Sequence, residues 1–381
     1  MPGPAYPAAR AVAATIKDYF ARRFAVAQAK PQALAPQPDE VAVEAIINAT
    51  FWASLRREEG YAPKISLAFL PPEASAQPMT FERPLELSPA ILARMAPAVE
   101  RPGIHLGVWR DNAQNGELRV WGITRMIPKL CFVLEVIEPG LLVVKYRRSQ
   151  ETGKYVNVVV LKGDEIKVVD EQGTSLPDCP ALVTALLGFG APGPTGDSLN
   201  VLLQLAASMR AHGRGGSLLV VPEGSDKWRE SIIQHVPYAV APPYPELAAL
   251  LRQDADERRK PIWQEAFIDA VDAIAGLTAV DGAALIGDQY ELLAFGAKIG
   301  RREGGGRVEQ VVVTEPIVGN VAAVVQPLEL GGTRHLSAAQ FVYDQRDAIT
   351  LVASQDGRFT VFAWSPCEEM VHAHRVETLL M

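Results

Sequence analysis

The chain has 381 residues, of which 48% are hydrophobic and 21% are charged, close to the average of globular proteins. A chain of this length has room for about two or three domains. Its 37 Lys and Arg residues against 44 Asp and Glu residues give a formal net charge of -7, which offers no overall attraction to DNA or to an anionic membrane. We therefore expect a folded protein that binds neither DNA nor a membrane.

The cysteines and the N-terminal stretch bear on the cellular compartment. Cys131, Cys179 and Cys367 are odd in number and far apart, which argues against a disulfide framework and against a zinc site. No apolar run approaches the roughly 18–20 residues of a membrane-spanning helix. Arg10 and Lys17 interrupt the N-terminal stretch before a signal-type apolar region develops. We predict a cytoplasmic protein.

Residues 1–100 are predicted to form a mainly helical N-terminal region. The apolar spacing near 3.6 residues predicts helices over Arg10–Ala29 and Glu40–Arg57. Proline and glutamine residues between them, in Pro31–Pro38, cannot continue a helix. A strand over residues 64–70 then runs into two prolines and a loop.

Residues 101–190 are predicted to form a β-rich region. Short apolar runs alternate with turn residues, as expected of an antiparallel meander. The turn signals include Glu138-Pro-Gly and Lys162-Gly-Asp. The predicted strands cover residues 107–109, 118–122, 131–136, 141–145, 156–161 and 166–169.

A cluster of glycine and proline residues at 188–196 fits neither helix nor strand periodicity and marks a domain boundary. Strands and helices alternate from 197 to 381, which indicates a mixed sheet with helices packed on it. The predicted helices cover 197–212, 245–251, 263–277 and about 337–345; the predicted strands cover 217–221, 283–286, 292–297, 308–313, 322–325, 349–353 and 359–364. The predicted fold class is therefore α/β, in the sense of a mixed α+β protein.

Two short motifs in this second region are candidates for ligand binding. Residues 213–221 place glycines directly before an apolar strand, where the backbone can approach a ligand closely, although the same glycines are ordinary helix-stop residues. Asp281, Gly282 and Ala283 stand at the head of another apolar strand. A carboxylate there can hold a divalent cation, and the alternative is a simple turn carboxylate.

The third motif is the strongest anion-binding signal in the chain. Two glycines precede a hydroxyl group, a guanidinium group and an imidazole at the start of a predicted helix, so several donors converge on one place. Helix capping explains a serine or threonine there, but it does not require the two basic side chains. The residues are Gly331, Gly332, Thr333, Arg334, His335 and Ser337.

These three motifs, in this order and followed by residues 349–362, resemble the diadenylate cyclase (DAC) domain of the DisA N-terminal type. The resemblance covers roughly residues 197–366. It implies that two ATP molecules bind on two facing DAC domains and are condensed to c-di-AMP and two pyrophosphates. It also implies Mg²⁺ or Mn²⁺ as cofactor and self-association through the DAC domains, because one domain supplies half of a site.

The resemblance assigns roles to individual residues. It implies that Asp281 holds the metal ion and helps to activate the attacking hydroxyl group, with Arg334 and His335 as the other catalytic residues. The implied nucleotide-binding residues are Gly282, Ala283, Gly331, Gly332, Thr333 and Ser337.

One position departs from the family pattern, in which a second arginine follows the histidine. Leu336 stands there, so the chain lacks one phosphate-binding cation, and Arg301, Arg302 or Arg307 is the expected replacement. Two other readings remain open: a DAC-like domain that binds ATP or a cyclic nucleotide without making one, and an enzyme with another cyclic nucleotide as product. A metal role for the pair His372 and His374 is disfavoured, because no third ligand is evident.

The upstream half is similar to the sensor domains that accompany DAC domains, of the type called DACNV. The similarity lies in residues 105–109, 118–122, 140–145 and 155–161. It implies that the N-terminal domain regulates the DAC domain in response to an unidentified ligand or protein partner.

Overall fold

The computed structural model describes residues 4–27, 34–111, 115–147, 155–170, 200–233 and 235–381. They form two compact units, residues 1–169 with Met381 and residues 170–380. Each unit is built on one mixed sheet with helices packed against it, so the predicted mixed α/β class is confirmed. The predicted boundary at 188–196 and Cys179 lie outside the described residues. Among the described helices, none combines the length and the apolarity needed to cross a lipid bilayer.

The first unit contains an eight-stranded sheet in the order β2-β4-β3-β1-β5-β6-β7-β8, in which β1 and β3 are the parallel pair. Strands from the predicted ranges 1–100 and 101–190 therefore share one sheet. The helices are α1 (Pro7–Ala27), α2 (Glu40–Ser54) and α3 (Pro89–Met95); the strands are β1 (Ser66–Phe69), β2 (Met79–Glu86), β3 (His105–Asp111), β4 (Glu117–Thr124), β5 (Phe132–Glu138), β6 (Leu141–Arg147), β7 (Tyr155–Lys162) and β8 (Glu165–Val168).

Helices α1 and α2 cover one face of this sheet with an apolar core that includes Ile16, Phe20, Ile46 and Leu67. Asp39 caps α2 by accepting a hydrogen bond from the Ala42 amide over 2.9 Å. Helix α1 begins with a proline, which is favoured at the first helical position because its missing N–H has no partner there anyway. Both helices thus match the predicted pair, with ends shifted by a few residues.

The second unit contains a nine-stranded sheet in the order β10-β12-β11-β9-β15-β16-β17-β13-β14. The helices are α4 (Val201–Ala211), α5 (Glu246–Leu251), α6 (Ala255–Arg258), α7 (Pro261–Leu277), α8 (Pro327–Leu330) and α9 (Thr333–Asp344); the strands are β9 (Gly216–Val221), β10 (Tyr238–Tyr244), β11 (Ala283–Gly287), β12 (Leu292–Ala297), β13 (Val311–Thr314), β14 (Ala323–Val325), β15 (Ile349–Ala353), β16 (Phe359–Ser365) and β17 (Met370–Arg375).

Three of the differences between this unit and the sequence-based expectation bear on the candidate site. Strand β10 was not predicted because Pro242 and Pro243 break the strand pattern, but an edge strand tolerates proline. Strand β17 was not predicted because His372 and His374 alternate with its apolar residues. Helix α9 starts at Thr333 rather than near residue 337, so its first turn includes the basic residues of the third motif.

Helices cover both faces of the second sheet. Helices α4, α5 and α7 pack on one face, where Leu205 and Ile274 meet Leu218. Helix α9 packs on the other face, where Ala338 and Val342 meet apolar side chains of β15, β16 and β17. The two clusters are made of apolar side chains, and the unit also buries polar side chains such as His372, His374 and Thr350.

The strand registers bring the three motifs to one end of this sheet, which we call the motif end. Strands β9 and β11 are parallel and both begin there, since Ala283 pairs with Ser217. Strands β12, β15 and β17 end there, and β10 and β16 begin there. Segments separated by more than a hundred residues in the chain are thus neighbours.

Candidate functional site

The first and third motifs meet at the motif end. Gly215, in the loop before β9, has a φ of +71°, a conformation that favours glycine. A Cβ atom on Gly215 would lie 3.2 Å from Nη1 of Arg334 and 3.2 Å from the carbonyl oxygen of Ala353. The guanidinium group of Arg334 therefore packs against the backbone of the glycine loop. The Arg334 residue is nevertheless exposed to solvent.

Asp281 lies at the same end, one strand away from Gly215. Its side chain is 93% exposed, and one carboxylate oxygen is 2.5 Å from Nζ of Lys298, which directly follows β12. The hydrogen bond from Lys298 and the positive charges of Lys298 and Arg334 hold the pKa of the Asp281 carboxyl group below its ordinary value. The group is an exposed carboxylate within electrostatic range of the guanidinium of the third motif.

Position 282 requires glycine for two reasons: its backbone conformation, and the lack of space for a side chain. The φ of Gly282 is +119°, and a Cβ atom there would lie 2.4 Å from the carbonyl carbon of Gly296. The next residue, Ala283, is buried and packs in the apolar cluster that contains Leu285 and Ala294. Gly282 thus brings two backbones together, while the Ala283 methyl group faces the core.

The third motif divides between the surface and the core. Gly332 is the N-cap residue of α9, and Gly332, Thr333 and Arg334 are exposed. His335 is buried, and a Cβ atom on Gly331 would lie 2.5 Å from its Nδ1 atom, so glycine there makes room for the imidazole ring. Ser337 is partly buried within the helix.

His335 is a neutral imidazole at neutral pH. Burial is the main cause that lowers its pKa, and nearby arginines, including Arg358 and Arg375, add to this, while Asp356 acts in the opposite direction. Its Nε2 atom lies 3.5 Å from Oγ1 of Thr360 on β16. The imidazole positions the start of α9 against the sheet, and Arg334 is the cation that the motif exposes.

Leu336, at the position where the DAC pattern has a second arginine, lies in apolar packing. Leu336 is partly buried and packs against the cluster that contains Leu330 and Val311. Arg302, one of the expected replacements, forms an ion pair with Glu230 over 2.9 Å. The structure brings another cation close: Arg375 pairs with Thr360 across β16 and β17, and paired residues project from the same face of a sheet.

The sequence analysis did not identify four residues at this end: Lys298, Arg358, Arg375 and Tyr238. A cation that directly precedes or follows a predicted strand is the signal that could have identified Lys298 and Arg358. Arg375 belongs to a strand that was not predicted, so its position could not be inferred.

The histidine pair on β17 is part of the core. His374 is fully buried, and its Nδ1 atom lies 2.6 Å from Oγ1 of Thr314; His372 contacts Glu368 over 3.0 Å. Within the described ranges, no group of three or more His, Cys, Asp or Glu side chains is arranged to hold a metal ion. At the motif end, Asp281 is an exposed carboxylate that could serve as one ligand of a metal ion.

The first unit has a buried polar chain on the sheet face opposite α1 and α2. The Oγ atom of Ser66 lies 2.7 Å from Nδ1 of His105, and Nε2 of His105 lies 2.9 Å from the hydroxyl group of Tyr155. Lys145 lies 4.7 Å from the centre of the Tyr155 ring and pairs with Glu135. These side chains are far apart in the sequence, so only the sheet register brings them together.

Comparison with known families bears on the first unit. A family model described as "Probable sensor domain DACNV" matches residues 32–125. The match includes two of the four segments in which the sequence analysis found this similarity, residues 105–109 and 118–122. No curated protein matches the chain. The matched range ends before the DAC-like motifs. Residues 32–125 are therefore similar to the DACNV type of probable sensor domain, a domain type associated with diadenylate cyclases.

Proposed function

We propose that the second unit is a DAC-type nucleotidyltransferase that condenses two ATP molecules into c-di-AMP and two pyrophosphates under control of the first unit. The observation that carries this proposal is the position of Arg334, which packs beside Gly215 and lies in electrostatic range of Asp281. An exposed carboxylate, an exposed guanidinium and a glycine loop at one sheet end suit a nucleotide polyphosphate. The DACNV match at residues 32–125 supports a diadenylate cyclase-related protein.

The donor set is compatible with a metal ion that arrives with the nucleotide. Mg²⁺ is commonly bound by one or two carboxylates together with substrate phosphates, and Asp281 offers one ionised carboxylate. When bound, Mg²⁺ or Mn²⁺ neutralises phosphate charge and lowers the pKa of a coordinated hydroxyl group. Lys298 must move away from Asp281 before the carboxylate is free for this role.

The remaining roles follow from exposure and charge. Arg334 binds phosphate oxygens and offsets the charge that develops on the leaving pyrophosphate. The Thr333 hydroxyl group and the free N–H groups at the start of α9 donate hydrogen bonds to the same phosphates. His335 holds the helix start in place rather than carrying charge.

The reaction requires a second copy of the site. Each 3′-hydroxyl oxygen attacks the α-phosphorus of the other ATP, a new P–O ester bond forms, and the bond between the α-phosphorus and the bridging oxygen breaks to release pyrophosphate. The hydroxyl proton passes to solvent or to the Asp281 carboxylate. One unit holds one ATP, so the active form is two facing copies.

A second candidate function is nucleotide binding without turnover. It is favoured by Leu336, which fills an apolar cluster where the family pattern has an arginine, and by Lys298, which neutralises Asp281. A third candidate is synthesis of another cyclic nucleotide, because the three motifs recognise phosphate and metal rather than the base.

The test is incubation of the full chain with ATP and Mg²⁺ or Mn²⁺, with products resolved by mass spectrometry. We compare wild type with Asp281→Asn and with Asp269→Asn, an exposed carboxylate within α7 and outside the three motifs. The cyclase proposal expects c-di-AMP from wild type and Asp269→Asn and none from Asp281→Asn. ATP binding by calorimetry without any product supports the binding function, and neither product nor binding refutes both.

A further inference from the structure

An aromatic pair lies beside the candidate site. Tyr238, the first residue of β10, stacks on Phe295 of β12 with the ring centres 4.7 Å apart and the ring planes inclined by 11°. The Tyr238 residue is nevertheless 50% exposed. One face of its ring is thus supported by Phe295, and the ring still presents open aromatic surface to a ligand.

Gly296 connects this pair to Asp281. Its φ is +66°, and a Cβ atom on it would lie 2.9 Å from Cδ2 of Tyr238 and 3.6 Å from the carbonyl oxygen of Asp281. The Tyr238 ring and the Asp281 backbone therefore approach the same small volume. Glycine at 296 keeps that volume free of a side chain.

The order of strands at the motif end arranges three kinds of group in a row. Adjacent strands lie about 4.8 Å apart. Strands β10 and β12 contribute the aromatic pair, β11 follows Asp281, and β9 follows the Gly215 loop against which Arg334 packs. Across the sheet the groups therefore follow in the order aromatic ring, carboxylate and guanidinium. This is also the order of base, ribose and phosphates along a nucleotide.

We propose that Tyr238, supported by Phe295, is the surface on which the nucleotide base stacks and therefore a specificity-determining residue of this site. This inference rests on the proposed function. Aromatic side chains stack on every base, and stacking of this kind changes affinity by about tenfold or more per base. The ring distinguishes a nucleoside triphosphate from a bare polyphosphate, which the cationic part of the site alone does not.

The position of Tyr238 on an edge strand has an alternative use, the addition of a strand from a partner protein. Pro242 and Pro243 make that use unfavourable, because proline has no N–H group to donate to an added strand. A small ligand at Asp281 is the occupant that the geometry favours.

The experiment measures binding of ATP and, separately, of inorganic tripolyphosphate to the full chain by calorimetry. The variants are Tyr238→Ala, Tyr238→Phe and Tyr244→Ala. Tyr244 is the matched control, because it lies on the same strand and is 48% exposed. Its hydroxyl group donates a hydrogen bond to the Glu246 carboxylate. We expect Tyr238→Ala to weaken ATP binding about tenfold or more and to leave tripolyphosphate binding unchanged. Tyr238→Phe and Tyr244→Ala should bind both ligands like wild type.

Two outcomes would overturn this inference and leave the proposed function standing. One is an unchanged ATP affinity in Tyr238→Ala; the other is an equal loss of affinity for ATP and for tripolyphosphate in that variant. Because Tyr238→Phe retains the ring, it separates loss of stacking from loss of fold, and the thermal unfolding midpoint of each variant is measured alongside. Failure of the wild type to bind either ligand refutes the proposed function itself, and the inference with it.

Discussion

Arg334 and Gly215 are in contact across the second unit, although the chain between them contains six strands and four helices. The Nη1 atom of Arg334 lies 3.2 Å from the position that a Cβ atom on Gly215 would occupy. This contact holds the guanidinium beside the loop before β9, and Asp281 directly precedes Gly282 and the neighbouring strand β11. It is the relationship on which the proposed site depends.

Substitution of Gly215 by alanine tests this contact. We expect Gly215→Ala to displace the guanidinium and to weaken ATP binding severalfold. The matched control is Gly213→Ala, since Gly213 also has a positive φ but has no atom within 4 Å of the added Cβ. Both variants should lose similar stability, about 1 kcal/mol, from the backbone conformation. Calorimetric titration with ATP and thermal unfolding measure the two effects, and equal ATP affinity in both variants contradicts the role of the contact.

Introducing the second arginine of the DAC pattern tests the importance of Leu336. Leu336→Arg adds a cation at the start of α9, and its aliphatic stem can cover the apolar cluster while the guanidinium reaches solvent. We expect ATP affinity, and turnover if c-di-AMP is formed, to rise about tenfold, the usual effect of one charge-assisted hydrogen bond. Leu336→Met is the control, because it keeps the volume without the charge. No gain over Leu336→Met means that the site does not lack a cation there.

Removal of the Lys298 charge should increase metal affinity at Asp281. The ammonium group and a divalent cation compete for the same carboxylate, so Lys298→Met should lower the Mn²⁺ concentration for half-maximal nucleotide binding. Lys260→Met is the comparison, since Lys260 forms a similar exposed pair with Glu257 on another element. Thermal stability should change little in either variant, as is usual for exposed ion pairs. An unchanged Mn²⁺ requirement rules out competition at this carboxylate.

Two buried histidines predict how stability depends on pH. Burial lowers the pKa of His105 and of His374 to about 3, and the charge of Lys145 contributes in the first case and that of His372 in the second. An unfolded histidine titrates near 6.5. As the pH falls below about 6.5, the two histidines take up protons in the unfolded chain but stay neutral in the folded protein. The free energy of unfolding is therefore highest above about pH 6.5 and decreases progressively towards pH 3.

Each buried histidine should therefore lower the free energy of unfolding by about 1.4 kcal/mol for each pH unit below 6.5. We expect the urea concentration at the unfolding midpoint to decrease when the pH is lowered from about 7.5 to about 5.5. His374→Gln should make this decrease smaller. His235→Gln, at an exposed position, should leave it unchanged. An identical pH dependence in wild type and His374→Gln shows that His374 is not the group responsible.

Local patterns in the sequence were sufficient for the elements whose residues carry their own periodicity or caps. Helices α2 and α7 and strands β9 and β11 are predicted within a few residues, because apolar spacing and breakers are local properties of the chain. Asp281 at the head of β11 and the exposed Arg334 were identifiable for the same reason, as polar residues directly beside buried elements. The fold class follows from the alternation of these elements.

Tertiary structure decided which of these residues are neighbours. The pairing register of nine strands places Tyr238, Lys298 and Arg375 at the motif end, and no local pattern encodes a register between strands that are distant in the chain. Packing of α9 on the sheet buries His335 and leaves Arg334 exposed, a division that two adjacent basic residues do not reveal. The sequence by itself determined the elements and the chemical types of the site; the long-range contacts of the folded chain determined their arrangement, because those contacts form only when the sheet assembles.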